Sequence, residues 1–181
     1  MYKKPLIKIG LVVGVFSLAV GIVTAGDTKK LIKQAQSAAP HSVSGNATIM
    51  SGGKVLKEGS NGWVCMPDTM PGDGSPMCND AMWMAMMDAV GKKAEFKADG
   101  IGISYMLKGE GKGAGVSNSD PYHPDPQKAD DYVESGPHMM IIVPKELLNG
   151  MTDDPKSGGP FVMWKDTPYA HIMVPISKNK R

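Results

Sequence analysis

Two short apolar runs, "PHMMIIVP" at 137–144 and "PYAHIMVP" at 168–175, each open after a proline and close on one. Proline interrupts both helix interiors and central sheet ladders, so six apolar residues between two prolines suit a strand better than a helix. Each run also carries a histidine two places before a methionine: His138 and Met140, then His171 and Met173. Residues two apart in a strand share a face. The echo is therefore either a pair of soft metal ligands presented twice or two core strands with matching punctuation.

The N-terminus reads as a targeting segment. Lys3, Lys4 and Lys8 precede the uncharged apolar stretch Ile9–Val23, and "VTAG" supplies small or β-branched residues at −3 and −1, so cleavage is expected after Ala25. The rival reading is an uncleaved anchor, but the apolar stretch is shorter than the roughly 20 residues a spanning helix needs. No cysteine follows it, which argues against a lipoprotein. Residues 1–25 are thus read as a signal peptide, 26–46 as a polar lead-in and 47–181 as one globular domain, placed in the periplasm or secreted, with no membrane span after cleavage.

Cleavage changes the charge. The chain has 20 basic and 18 acidic residues. Three of the lysines leave with the signal, so the mature protein is slightly acidic and its charge does not argue for a nucleic-acid partner.

Cys65 and Cys78 are the only cysteines, in "NGWVCMPDTMPGDGSPMCND". In an exported chain such a pair is most simply a disulfide, and closing a loop of about 14 residues contributes roughly 3 kcal/mol in the chain-entropy view. A soft Cys/Met copper site is the alternative, since "CMPDTM" and "MC" are rich in sulfur. A free redox pair is the third reading.

Strands are expected at Ala47–Met50, Lys54–Glu58, Gly62–Cys65, Ile101–Leu107, His138–Val143, Phe161–Trp164 and Ala170–Val174. The principal helix is expected at Asp80–Val90, with Asn79 or Asp80 as its cap and Gly91 closing it, and a short helix in "PKELLNG". With no βαβ alternation, the class is α+β: a mainly antiparallel sheet with helices on one face, or a small sandwich. Between strands lies Gly109–Pro137, a long segment with little periodicity, of the kind that forms binding loops, lids or disordered stretches. Asp120, His123 and Asp125 cluster in it. They are a candidate ligand loop or hard-metal group, against the plainer reading of a proline-rich solvated turn.

The motifs "NGWVCMPD", "PMC", "PHMMIIVP", "GGPFVMW" and "PYAHIMVP" together resemble a group of uncharacterised exported bacterial proteins, over roughly Ala47 to Pro175. The resemblance implies one exported domain that contains the Cys pair and both proline-bracketed strands. It implies no catalytic or binding residue.

The sequence has no nucleophile elbow, zinc-protease motif, P-loop or dinucleotide fingerprint, and a disulfide would remove Cys65 as a nucleophile. Catalysis is therefore not the expected role. Fourteen methionines besides the initiator remain to be explained. They are either flexible core filling or, with His138 and His171, soft ligands for copper. Two functions stand side by side. One is an exported binding or scaffold domain whose partner, a small ligand or a protein, meets the Gly109–Pro137 loop. The other is a periplasmic copper-binding protein that uses His138, Met140, His171 and Met173.

Overall fold

The sheet begins with a hairpin whose turn is dictated by glycine. Strand β1 (Thr48–Ser51) returns as β2 (Lys54–Lys57) through Gly52 and Gly53, both at positive φ, the conformation that tight hairpins demand of their central residues. The chain then passes beneath the start of β1 and rises on its other side as β3 (Val64–Met66), parallel to β1. Gly59 makes that crossing: a side chain there would run into the backbone of Ala47 and Thr48. Ser60 N–H donates to Asn46 O at 2.9 Å to fix it. The structure, a computed structural model, describes residues 25–177, and the signal peptide expected over 1–25 lies outside them except for Ala25.

From β3 onward every neighbour is antiparallel. β4 (Met77–Asn79), β5 (Gly102–Met106), β8 (His138–Ile142), β9 (Phe161–Met163) and β10 (His171–Pro175) complete an eight-stranded sheet of order β2-β1-β3-β4-β5-β8-β10-β9. A separate two-stranded ribbon pairs β6 (Val116–Ser117) with β7 (Tyr132–Val133). The fold is α+β with a mainly antiparallel sheet, as expected, and each expected strand and the principal helix is present within two residues of its expected bounds. Strands β4, β6 and β7 are additions to that set, and of these only β4 belongs to the large sheet. All three residues of β4 are buried, so it has no alternation to reveal it, and it is short and preceded by Pro76.

Helices cover both faces. On one, α3 (Ala81–Lys92) lays Trp83, Met86 and Ala89 over a core that includes Met77, Met106, Met140, Ile142, Phe161, Met163 and Met173. On the other, α1 (Ala25–Gln36) and the short α2 (His41–Ser44) border a second core in which Ala35, Ala38, Ala39, Ala47 and Ile49 pack with Cys65 and Cys78. The expectation of helices on one face alone thus meets a sheet covered on two. The stretch read as a polar lead-in has a narrow stripe of small residues, and alanine allows a helix to approach the sheet closely without much apolar signal in sequence.

Cys65 and Cys78 form a disulfide between directly opposed positions of β3 and β4, with Cα atoms 4.0 Å apart. The loop between them is held by Asp73, whose carboxylate accepts from Thr69, Met70 and Ser75 N–H groups at 2.8–3.2 Å. No helix among the described residues is long and apolar enough to cross a membrane.

Candidate functional site

The proline-bracketed strands are neighbours. β10 pairs with β8 so that Met173 lies opposite Met140, Ile172 opposite Ile141 and Pro175 opposite His138. All four His-x-Met side chains therefore share one sheet face, beneath α3, and all are buried: His138 and His171 are 1% exposed, Met140 6% and Met173 2%. Register decides how they meet. The two thioether-bearing residues are paired across the ladder, whereas the histidines stand at diagonal corners, four residues apart along it, about 13 Å of strand rise.

Each imidazole is oriented by its own strand. Nδ1–H of His138 donates to Gly136 O at 2.7 Å, and Nδ1–H of His171 to Tyr169 O at 2.9 Å. A carbonyl can only accept, so both neutral rings carry the proton on Nδ1 and leave a lone pair on Nε2. Burial pushes both rings toward the neutral form. The pKa of His138 is lowered by desolvation, against the pull of the Gly136 carbonyl. That of His171 falls to about 4, chiefly through desolvation, with the second imidazole adding to the effect.

The surroundings of the two rings differ. His171 is flanked by two indoles in T-shaped contacts, with Trp83 and Trp164 centroids 5.1 and 5.2 Å away at nearly perpendicular angles. Trp164 reaches it from a left-handed backbone conformation, φ 54, which is costly for a bulky residue. Four hydrogen bonds hold it: its N–H donates to Asn118 O, its Nε1–H to Ser117 O, and its carbonyl accepts from both the N–H and the Oγ1–H of Thr167. Among the described residues His138 has no such aromatic frame, and its Nε2 is buried without a hydrogen-bond partner.

The Gly109–Pro137 segment is folded around the β6–β7 ribbon and packs Val116 and Val133 against the core beneath α3. Glu110 accepts from Ser135 N–H, Ser117 Oγ–H donates to Asp131, and Tyr122 Oη–H donates to Val90 O at the end of α3. Gly111 passes so close to Asp73 that a side chain would strike its carbonyl. Burial works against the Asp131 carboxylate, but hydrogen bonds from Ser119 and Ser117 outweigh it and hold its pKa below the ordinary value. Asp120, His123 and Asp125 serve local turns. Asp120 accepts from Tyr122 N–H, His123 Nδ1 accepts from Asp125 N–H, and Asp125 pairs with Lys128 at 2.6 Å. No three His, Cys, Asp or Glu side chains among the described residues gather in a form that could hold a metal ion.

A cleft of about 440 Å³ opens elsewhere, between the chain leaving α3, the end of β8 and the turn joining β9 to β10. Phe96, Ile142, Val143 and Pro168 line it with apolar surface, while Lys97 and Lys145 stand with Glu95, Glu146 and Asp166 around it. Lys145 Nζ donates to Thr167 O at 3.4 Å. Nothing in the sequence points to this set. Its members come from three distant segments, and single exposed charges in loops look alike before folding. Compared with known proteins, the chain matches no family model, no curated protein and no solved structure.

Proposed function

We propose that the chain is an exported, non-catalytic domain that binds a small organic ligand carrying both charges in the cleft beside Lys97 and Asp166. The observation that carries the reading is the composition of that cleft, with an apolar lining of Ile142, Val143 and Phe96 and charged side chains of both signs around it. Such a site orients a zwitterion, an amino acid or short peptide, by its ends while its apolar part takes the lining. The disulfide suits an oxidising compartment, which supports export with removal of residues 1–25. Support for a binding role over a catalytic one comes from the groups that would do chemistry. Cys65 and Cys78 are joined, His138 and His171 are buried, and the cleft is lined by neither cysteine nor histidine.

Calorimetric titration of the mature protein with a panel of amino acids and di- and tripeptides tests this. Binding is expected for a subset, recovered unchanged, and weakened about tenfold in Lys97→Ala and in Asp166→Ala, as loss of a charged hydrogen bond would do. Absence of binding across the panel, or affinity indifferent to both substitutions, overturns the assignment.

A further inference from the structure

A row of sulfur crosses the face of the sheet beneath α3. Met66 on β3 lies opposite Met77 on β4. The pairing of Cys78 with Tyr105 and Asn79 with Ser104, carried one residue on, sets Met77 beside Met106 on β5. Met106 in turn lies opposite His138 on β8. Neighbouring strands are about 4.8 Å apart, so these side chains are in serial contact range. Met140 follows His138 on the same face of β8 and pairs with Met173. The row is graded in exposure. Met66 is half-buried and leads into the loop that carries Met70, 66% exposed, whereas Met77, Met106 and His138 are buried.

The row ends at the unpartnered Nε2. A buried ring nitrogen with an open lone pair is costly unless something occupies it. A water there would need two to four polar partners, about what buried waters have. The register surrounds His138 instead with Met106, Met140 and Pro175, and thioethers are weak acceptors. The same donors, one imidazole and two or three thioethers, form the soft, neutral set that selects Cu(I) over hard divalent ions. The Nδ1–H to Gly136 O bond is the outer contact by which metal-binding histidines are commonly aimed.

We propose that His138 Nε2, with the sulfurs of Met106 and Met140, binds one Cu(I) ion, and that Met66 and Met77 form its path from the surface. The ligands are neutral, so binding transfers no proton or electron and adds one positive charge. His171 lies outside this site, framed by its two tryptophans. The inference uses other residues than the cleft and is independent of the function proposed for it.

Anaerobic titration of the disulfide-intact mature protein with Cu(I), against a coloured Cu(I) chelator, tests the site. One equivalent is expected to be retained, with nitrogen and sulfur scatterers around copper by X-ray absorption. Met106→Leu and Met140→Leu keep the core volume and remove the donor, and each is expected to weaken retention by about tenfold or more. Met163→Leu, equally buried but opposite His171, should leave it unchanged, and Met66→Leu should slow uptake more than it lowers affinity. Near-ultraviolet circular dichroism checks that each variant is folded. Failure to retain copper, or retention unaffected in folded Met106→Leu and Met140→Leu, overturns the proposal.

Discussion

His171 makes T-shaped contacts with Trp83 and Trp164 and has its Nδ1–H held by Tyr169 O, and that setting ties the stability of the protein to pH. Its pKa drops from 6.5 to about 4 on folding because burial penalises the imidazolium. The unfolded ring therefore binds a proton between pH 6.5 and 4 while the folded ring does not. Stability is full above the unfolded value and declines as pH falls through this window, by roughly 3 kcal/mol for this group alone. His138, depressed for the same reason, adds in the same direction. Asp131, lowered from 3.8, loses its contribution only at more acid pH. Urea unfolding at steps from pH 7 to 4 is expected to show the decline, and His171→Asn, though weaker overall, a flatter one. A pH-independent midpoint across that range would show the ring is not held neutral.

Helix α3 shows how an element ends where tertiary contacts permit rather than where its sequence suggests. Its start obeys the local rule: Asp80 Oδ1 accepts from Trp83 N–H at 2.9 Å, while Oδ2 accepts from Ile103 N–H and ties the helix to β5. Its finish does not. Gly91 is the expected closing residue, but the chain continues through it and turns at Lys93, φ 53. The hydroxyls of Tyr122 and Tyr169 donate to Val90 O and Ala94 O, and Lys93 lies over the Tyr122 ring at 4.8 Å. Gly91 is left inside a helix, with open space where a side chain would go. Gly91→Ala should stabilise the protein by about 0.5–1 kcal/mol, raising Tm by about 1–4 °C. Thermal unfolding measures it, and a lowered Tm would contradict this account of the helix end.

At the scale of the whole molecule, the sheet has one core beneath α3 and two further clusters on its opposite face, and α1 helps close the one around the disulfide. Leu107 N–H donates to Ala38 O, and Gln34 Nε2–H to Pro67 O at 2.7 Å, so the stretch after α1 and α1 itself are tied to strands far away in sequence. A chain that starts at Ala47 would uncover Ile49, the disulfide, Trp63 and Tyr105. It should lose roughly 3 kcal/mol or more, the worth of one or two large buried side chains, and bind a hydrophobic dye that the longer chain excludes. A truncated protein with unchanged Tm and no dye binding would show that the helix is dispensable.

Strand identity, the start of α3 and the cysteine pairing are legible in the sequence because each depends on few alternatives or on near neighbours. Proline brackets mark β8 and β10, Asp80 caps the helix that begins beside it, and two cysteines have only one partner each. The features that needed the tertiary structure are non-local. Register alone sets Met140 against Met173 and draws the two histidines apart, and it aligns Met66, Met77 and Met106 from three separate segments toward His138. Strand β4 escapes notice because burial on both faces erases alternation, and the docking of α1, a stretch that reads equally as a frayed helix or a tether, because alanines pack by being small rather than by being strongly apolar. The chain's local chemistry chose its elements. The sheet's hydrogen-bond ladder, which no local pattern encodes, decided which side chains share a site.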